Sequence, residues 1–273
     1  LPGVSKIVNS VQSLRFNTAV VDLIYDELKD CEKNSFFIET QKNRTKKEIE
    51  KFEDLKIKDL SFSYPGNKNK VLDKINFEIT QNDKIGIIGK TGVGKTTLLN
   101  LITGLIKSDE GEILINQKSI KSIKLDWQKI IGYVPQQVSI IDESVLFNIT
   151  LERDEKKINL VKLNNILKIL NLYDYIYSLP DTIYEKVGER AGEKFSGGQS
   201  QRLGIARVLY KDPQILILDE ATNSLDEKTE DIILERVFNK IKDKTIITIS
   251  HRKNSLKYCN KVIEINDGSI KIK

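Results

Sequence analysis

The most informative segment of the chain reads Ile85-Gly86-Ile87-Ile88-Gly89-Lys90-Thr91-Gly92-Val93-Gly94-Lys95-Thr96. Its apolar start is typical of a short strand that is buried in a parallel sheet. Its second part, Gly89 to Thr96, matches the phosphate-loop pattern GxxxxGK[ST] and leads into a helical stretch from Lys95 to Leu105. A strand, a glycine-rich loop and a helix in this order predict a binding site for a nucleoside triphosphate.

The residues of this loop have predicted tasks in binding phosphate. Glycines at three positions let the backbone curl so that successive N–H groups point at one anion, and the following helix adds the positive end of its dipole. Lys95 supplies a full charge for the β- and γ-phosphates, and the Thr96 hydroxyl is placed to bind Mg²⁺. The residues expected to contact the nucleotide here are Gly89, Lys90, Thr91, Gly92, Val93, Gly94, Lys95, Thr96 and Thr97.

A second motif places two acids at the end of a strand. The apolar run from Ile215 to Leu218 is followed by Asp219 and Glu220, which is a Walker B pattern. Asp219 is placed to hold the metal, usually through water, beside the loop hydroxyl. Glu220 is placed to orient or deprotonate the water that attacks the γ-phosphate. The loop and the acids together predict hydrolysis of a nucleoside triphosphate.

The flanking pattern predicts an α/β fold. Leu55 to Tyr64 and Val71 to Thr80 alternate apolar and polar residues with a period of two, which indicates two antiparallel strands. We expect a P-loop NTPase core with a parallel sheet, an antiparallel β-subdomain and, at about residues 140–212, an inserted α-helical subdomain, where helical periodicity replaces strand signals. Further strands are predicted at Glu112–Ile115, Ile130–Val134, Ile215–Leu218, Thr245–Ile249 and Lys261–Ile265.

The first 51 residues differ from the rest of the chain. Apolar residues recur at helical spacing from Val4 to Leu28, which predicts one amphipathic helix, or two helices broken near Asn17. Cys31 to Lys51 is polar and charged, as is typical of a linker. Its basic run, Gln41 to Lys47, is interpreted as solvated linker, although such a run could also meet phosphates or anionic lipid headgroups. Residues 1–51 therefore precede a folded domain predicted at 52–273.

The composition excludes several classes of protein and of site. With 39% hydrophobic and 30% charged residues among 273, and a net charge of +5, the chain is globular and not disordered. It has one histidine, His251, and two cysteines, Cys31 and Cys259, which are too few for a zinc site of the Cys/His type. No apolar run approaches the roughly 18–20 residues that a membrane-spanning helix needs.

One short motif indicates the family. Phe195-Ser196-Gly197-Gly198-Gln199 resembles the LSGGQ signature of ATP-binding-cassette (ABC) proteins, with Phe in place of Leu. Over about residues 52–273 the other elements of that family follow in the expected order. They are Tyr64, similar to the A-loop aromatic that stacks on adenine; Gln136, similar to the Q-loop sensor of Mg²⁺ and the γ-phosphate; Ser224-Leu225-Asp226, similar to the D-loop that couples the two sites of a dimer; and His251, similar to the H-loop switch at the γ-phosphate.

The resemblance implies how the site is assembled. In the family, the signature reaches the γ-phosphate held by the opposite subunit, so that two ATP molecules are bound head to tail. Ser196, Gly197, Gly198, Gln199 and Asp226 would then act across a dimer, and a homodimer with two working sites is the simplest expectation. The implied roles are Glu220 as general base, His251 and Gln136 as γ-phosphate sensors, Lys95 with Mg²⁺ as charge stabilisers, and Thr96, Gln136 and Asp219 at the metal.

Two further segments resemble those of ABC exporters. Val187 to Gly192 is similar to the X-loop that faces the cytoplasmic ends of transmembrane helices, although Ala191 interrupts the pattern and Lys186 stands where exporters often carry an acid. The N-terminal helix is similar to the tail of an exporter's last transmembrane helix. Since the chain also contains no methionine, we expect a transmembrane domain upstream of Leu1 and a location at the cytoplasmic face of the inner membrane.

The substrate of such an exporter stays open at this point. The N-terminal segment is most similar to exporters of polysaccharides or of lipid-linked oligosaccharides, and exporters of peptides, lipids or drugs are the alternative. A soluble ABC ATPase that acts on DNA or ribosomes is a third hypothesis. Such relatives usually carry a long coiled-coil insertion or a second cassette, and neither is found in this sequence. We therefore expect a transport ATPase without a nucleic-acid partner.

Overall fold

The computed structural model describes residues 2–33, 49–67, 69–188, 195–241, 243–250 and 252–273. Its internal contacts divide the chain into two compact units, Leu1–Lys47 and Glu48–Lys273. In the first unit the structure describes residues 2–33, and these form one helix, α1 (Pro2–Lys33), which runs without a break through Asn17, so the alternative of two helices is wrong. Its large apolar side chains are exposed. Among the described residues, no helix is both long enough and apolar enough to span a membrane.

The second unit mixes strands and helices along the chain. Its strands are β1 (Asp54–Phe62), β2 (Leu72–Thr80), β3 (Lys84–Ile88), β4 (Glu110–Ile115), β5 (Lys118–Ser119), β6 (Ile131–Val134), β7 (Glu143–Ser144), β8 (Lys186–Val187), β9 (Ile215–Asp219), β10 (Thr245–Ile249), β11 (Lys261–Asn266) and β12 (Ser269–Ile272). Its α-helices are α2 (Lys95–Ile102), α3 (Ile120–Ile130), α4 (Val145–Thr150), α5 (Leu160–Ile169), α6 (Tyr173–Ser178), α7 (Gly197–Tyr210), α8 (Glu227–Lys240) and α9 (Lys253–Leu256).

A six-stranded sheet forms the centre of this unit. Strands β11, β3, β10, β9 and β6 run parallel in that spatial order, and β12 pairs antiparallel with β11 at one edge. Every residue of β9 and β10 is buried, as is usual for parallel strands that are covered on both faces. The carboxyl ends of β3, β10, β9 and β6 reach the same edge of the sheet, which is where α/β proteins bind their ligands.

A four-stranded antiparallel sheet, ordered β2-β1-β4-β5, shares one hydrophobic core with the parallel sheet. The two alternating segments of the sequence pair in it as predicted, from Asp54 opposite Thr80 to Phe62 opposite Leu72. Trp127 of α3 lies wholly inside this core, and its indole N–H donates to the Ile102 carbonyl oxygen at 2.7 Å. Helix α3 therefore locks the end of α2, which begins at the phosphate loop.

The helices between β6 and β9 pack around a second core. Helices α4, α5, α6 and α7 contribute apolar side chains to it, among them Leu163 of α5 and Leu203 of α7, and they share this core with residues of β9 and with Phe238 of α8. The parallel sheet, the antiparallel sheet and this helical region agree with the predicted α/β class. Helices α3, α8 and α9 were not predicted from the pattern. Helix α2 ends at Ile102 and not at Leu105, because Gly104 turns the chain with a φ of +70°.

The second unit includes residues that precede Phe52. Ile49 is 4% exposed and belongs to the first core. The Gln214 side chain accepts a hydrogen bond from the Phe52 amide at 2.7 Å and donates to the Glu50 carbonyl oxygen at 2.9 Å. The polar segment that the sequence indicates as a linker is thus tied to the domain at its C-terminal end.

Asp83, at the turn before β3, is expected to make the fold sensitive to acid. Its carboxylate accepts hydrogen bonds from Lys261 Nζ at 2.6 Å, from Asn260 Nδ2 at 2.9 Å and from the Thr80 amide at 2.7 Å. Burial raises the pKa of Asp83, but these bonds together outweigh burial and hold the pKa below its ordinary value. Asp83→Asn should therefore lower the free energy of unfolding by roughly 1–3 kcal/mol at neutral pH.

The direction in which the free energy of unfolding changes with pH tests this role of Asp83. Because the folded-state pKa of Asp83 is depressed, its stabilisation is present above the unfolded-state pKa and is lost as the pH falls through the folded-state pKa. Urea unfolding of wild type and Asp83→Asn should thus differ at neutral pH and converge in acid. Glu53→Gln, which neutralises an exposed acid, is the control. A difference that stays constant with pH would contradict this role of Asp83.

Candidate functional site

The phosphate loop has a backbone that only glycine adopts easily. Gly89 and Gly94 have φ angles of +154° and +107°, and Gly94 directly precedes α2. A Cβ atom at Gly89 would lie 2.6 Å from the Ile265 carbonyl oxygen, and one at Gly94 would lie 2.8 Å from Cγ1 of Val71. The loop is therefore packed closely against β11 and against the start of β2, which holds its backbone in place.

Lys95 is the cation of this loop. Its side chain reaches back, and Nζ donates hydrogen bonds to the carbonyl oxygens of Gly89 and Lys90, both at 2.9 Å. Only 6% of the residue is exposed, and this burial lowers the pKa of Lys95. The negative charges of Glu220 and Asp219 act in the opposite direction and raise the pKa, but burial has the larger effect. The ammonium group is thus already aimed across the loop, on the side of the two acids.

The two predicted acids lie at the end of β9 in different surroundings. Asp219 is 6% exposed, and its Oδ2 accepts a hydrogen bond from the Tyr133 hydroxyl at 2.7 Å. Burial raises the pKa of Asp219, while the bond from Tyr133 lowers it. Glu220 has a left-handed backbone with a φ of +49°, and its Oε2 accepts from Gln136 Nε2 at 2.9 Å and from Asn223 Nδ2 at 2.8 Å. Gln136 and Glu220, which are far apart in the sequence, are brought together here.

Tyr64 is placed beside the first turn of α2. Its hydroxyl lies 3.0 Å from Thr97 Oγ1, and its ring packs edge-on against Phe62 with 5.0 Å between ring centroids. The residue is 44% exposed, so the ring offers a free surface next to the phosphate loop. This is a suitable position for a ring that stacks on the base of a nucleotide.

The signature segment begins α7 with a capping box. Ser196 Oγ accepts a hydrogen bond from the Gln199 amide at 3.2 Å, and Gln199 Oε1 accepts from the Ser196 amide at 2.7 Å. Ser196 and Gly197 are exposed. Gly198 packs on the D-loop segment, where a Cβ atom would lie 2.9 Å from Leu225 Cδ2. The exposed N-terminus of a 14-residue helix, with its positive dipole end, is a suitable place for an anion held by a partner.

Two other predictions lie partly or wholly outside the described residues. His251 is outside them, although its neighbours Ser250 and Arg252 are described. Of the predicted X-loop, Val187 and Gly188 are described and 189–192 are not. Asp226 is described, and it caps α8 by accepting a hydrogen bond from the Thr229 amide at 3.0 Å. That bond lowers the pKa of Asp226 below its ordinary value.

Sequence reasoning missed three residues that organise the site. Tyr133 binds Asp219, and Asn223 binds Glu220. Gln201 is 4% exposed; its Nε2 lies 3.4 Å from the Gln136 carbonyl oxygen, and its Oε1 accepts from the Ser224 amide at 2.9 Å. The contacts of Tyr133 and Gln201 join distant parts of the chain and depend on which strands and loops become neighbours. Asn223 lies only three residues after Glu220, but no motif in the sequence indicates that its side chain turns back to that carboxylate.

The donor set of the site fits Mg²⁺. Within the described ranges, no cluster of three or more His, Cys, Asp or Glu residues could hold a metal ion by itself. Asp219 supplies one carboxylate at a strand end, and the exposed Thr96 supplies a hydroxyl in the first turn of α2. Mg²⁺ is commonly bound in this way, by one or two protein oxygens with phosphate oxygens and water as the remaining ligands.

Comparison with known proteins gives consistent matches. The family model described as ABC transporter matches residues 72–223. A putative export ATP-binding/permease protein of Rickettsia bellii is 37% identical over 218 residues, which are 79% of this chain and 37% of that protein. ABC transporter B family member 6 of Dictyostelium discoideum is 37% identical over 226 residues, which are 79% of this chain and 33% of that protein.

The fold also matches a solved structure. A bacterial Atm1-family ABC exporter with ATP bound has a TM-score of 0.74 and 30% sequence identity to this chain. The match covers 81% of this chain and 38% of that chain. This chain therefore spans only 33% to 38% of the length of these three proteins.

Proposed function

The chain belongs to the ABC transporter family, and from this we propose that it binds ATP with Mg²⁺, hydrolyses it and thereby drives export of a substrate across a membrane. The part of the family that it carries is the ABC ATPase domain. One observation supports hydrolysis most directly. The phosphate loop, Asp219 and Glu220 lie at the same edge of the parallel sheet. Gln136 and Asn223 donate hydrogen bonds to the Glu220 carboxylate and hold it there.

ATP binding is assigned to the loop and to Tyr64. The backbone N–H groups of residues 89–96 and the ammonium group of Lys95 bind the phosphates, and the exposed Tyr64 ring stacks on the adenine. Mg²⁺ would supply further positive charge at the β- and γ-phosphates, with Thr96 and Asp219 as its protein ligands and Gln136 as a sensor. His251 has the role of a γ-phosphate switch by its place in the sequence.

Glu220 performs the proton transfer of hydrolysis. Its carboxylate takes a proton from the attacking water as the water oxygen bonds to the γ-phosphorus and the bond to the bridging β,γ-oxygen breaks. Gln136 and Asn223 hold one oxygen of this carboxylate, which limits the orientations it can take. Lys95 and the loop N–H groups stabilise the negative charge that develops on the β-phosphate of the leaving ADP.

A second copy of this domain completes the site. The capped and exposed N-terminus of α7 supports a role for Ser196, Gly197, Gly198 and Gln199 in binding the γ-phosphate of a partner's nucleotide. Packing of Gly198 on the D-loop segment connects that contact to Asp226. We assign the assembly as a homodimer with two ATP sites.

A groove beside the Q-loop supports a membrane partner. The open groove has a volume of about 410 Å³ and is lined by Gln137, Val138, Ser139, Ile140, Gly188, Phe195 and Ser200. Its lining residue Gln137 directly follows Gln136 in the sequence, and the groove lies between the Q-loop and the segment before the signature. We propose that a cytoplasmic end of the transmembrane part docks here, at the cytoplasmic face of the membrane, so that movement of Gln136 is passed to that part.

The substrate proposal is a polysaccharide or a lipid-linked oligosaccharide, with peptides, lipids and drugs as the alternative. Release of phosphate from ATP by the intact protein in proteoliposomes is the primary test, with EDTA as the metal-free control. We expect activity that depends on Mg²⁺ and that increases with the transported substrate. Activity stimulated by DNA or ribosomes, and not by any membrane substrate, would overturn the transport proposal.

Tyr64 separates binding of adenine from binding of phosphate. Tyr64→Ala should weaken ATP binding by about 1–3 kcal/mol, which is roughly 5- to 150-fold in Kd, because the stacking surface is lost. Tyr64→Phe keeps the ring and loses only the hydroxyl near Thr97, so it serves as the matched control. Affinity for inorganic triphosphate should be the same in all three proteins. An unchanged Kd for ATP in Tyr64→Ala would refute the stacking role.

Loss of the Tyr133 hydroxyl should weaken the binding of Mg²⁺ and leave the binding of the adenine base unchanged. Tyr133→Phe removes the donor that orients Asp219, and loss of such a supporting contact typically costs about 10–100-fold in metal affinity or activity. We expect a rise of about tenfold or more in the Mg²⁺ concentration that gives half-maximal ATPase activity. Tyr184→Phe, at a tyrosine that is 48% exposed, is the control. Equal Mg²⁺ dependence in the two variants would contradict this role.

A further inference from the structure

An ion pair with a fully buried carboxylate and a partly exposed arginine lies beside the candidate site. Glu230, in the first turn of α8, is 0% exposed, and its Oε2 accepts a hydrogen bond from Arg252 Nη1 at 2.5 Å. Its Oε1 accepts from the hydroxyls of Thr222 at 2.7 Å and of Ser255 at 3.2 Å. A buried carboxylate needs donors to offset the loss of its hydration, and here it has three. Glu230 is therefore a fixed anchor for the Arg252 guanidinium.

Arg252 also holds the backbone that follows Glu220. Its Nη2 donates to the Asn223 carbonyl oxygen at 3.1 Å, and its Nη1 donates to the Leu225 carbonyl oxygen at 3.0 Å. A planar guanidinium can serve several acceptors at once, whereas an ammonium group is a single point of charge. The position of this segment thus depends on Arg252, and the position of Arg252 depends on Glu230.

Asn223 extends this chain of contacts to the proposed general base. Its Nδ2 donates to Glu220 Oε2 at 2.8 Å, and its backbone N–H donates to the Glu220 carbonyl oxygen at 3.2 Å. Glu220 has a φ of +49°, a left-handed conformation that non-glycine residues adopt at a cost and that the surroundings must hold in place. Asn223 contacts both the backbone and the carboxylate of this strained residue.

We propose that Glu230 and Arg252 are positioning residues for Glu220, because the pair holds the carbonyl of Asn223 and Asn223 holds the carboxylate of Glu220. The proposal rests on the proposed ATPase function. The competing explanation is that the pair only ties α8 to residues 252–255 and stabilises the fold. Positioning lowers kcat and leaves ATP affinity unchanged, whereas a purely structural pair lowers stability and leaves the kcat of folded protein unchanged.

The first test is Arg252→Lys in the intact protein. The lysine keeps the charge opposite Glu230 but cannot also span the two carbonyl oxygens. We expect kcat for ATP hydrolysis to fall by about 10–100-fold, as for other residues that orient a reactive group, while the Kd for ATP stays within about threefold. Arg236→Lys is the matched control, because Arg236 lies on α8 and donates to the Lys168 carbonyl oxygen away from the site.

The second test leaves the ion pair in place. Asn223→Ala removes the amide that holds Glu220 and should reduce kcat about as much as Arg252→Lys does, without lowering the thermal midpoint. In the double variant the losses should not add, since both changes break one chain of contacts. A kcat within about threefold of wild type in Asn223→Ala, or additive losses in the double variant, would overturn the proposal. Absence of ATPase activity in the wild type would instead refute the proposed function.

Discussion

Glu220→Gln should remove ATP turnover from the intact protein and leave ATP binding unchanged. An amide at this position keeps the shape of the carboxylate and still offers an oxygen to Gln136 and Asn223, but it cannot take a proton from water. Loss of a positioned general base typically costs about 10²–10⁴-fold in rate. Phosphate release should fall by that factor, and the Kd for a fluorescent ATP analogue should not change.

The same variant should accumulate as a closed dimer with ATP. ATP that is not hydrolysed keeps the two domains together, so size-exclusion chromatography should show a dimer that persists with ATP and Mg²⁺. Glu227→Gln is the matched control, since Glu227 is an exposed acid in the first turn of α8. Hydrolysis at the wild-type rate by Glu220→Gln would show that another group is the base.

Lys95→Met should strongly weaken the binding of ATP. The ammonium group is buried against the loop, so its interaction with a phosphate is weakly screened. Truncating one partner of a buried, hydrogen-bonded charge pair costs about 2–5 kcal/mol, which corresponds to roughly 30- to 5,000-fold in Kd. Isothermal titration with ATP and Mg²⁺ measures this loss directly.

Two comparisons make that result specific to Lys95. Lys58→Met, at an exposed lysine of β1, removes one positive charge at a surface position and should leave the Kd unchanged. ADP should also bind more weakly to Lys95→Met, because its β-phosphate loses the same cation. If both Lys95→Met and Lys58→Met bound ATP like the wild type, the loop would not be the phosphate site.

The local features of this site were predictable from the sequence. The strand before Gly89, the helix from Lys95 and the pairing of the two alternating segments follow from residue periodicity and from glycine at defined positions, and the structure confirms all three. Family membership was predictable because the signature and the phosphate loop are short, contiguous motifs, and the match to the family model confirms it. The roles assigned to individual residues, His251 among them, stay predictions.

The remaining contacts depend on sheet order, which periodicity does not report. Strand β10 lies between β3 and β9, although it follows both in the sequence. The register of β6 on β9 sets Val134 opposite Leu218 and so brings Tyr133 to Asp219. Trp127 gives a weak local signal, yet its partner is the carbonyl of Ile102 at the end of another helix. Residues 25 or more positions apart along the chain make these contacts, and only packing selects among them.

The capping box at Ser196 has a consequence for how the signature can bind an anion. As a cap, the hydroxyl oxygen uses a lone pair to accept the Gln199 N–H. A serine hydroxyl has two lone pairs and one hydrogen, so the cap leaves that hydrogen available to a phosphate oxygen. The hydroxyl thus acts as an acceptor in the helix cap and as a donor to a bound phosphate. Because the two functions do not compete, the N-terminus of α7 keeps its cap whether or not a nucleotide faces it.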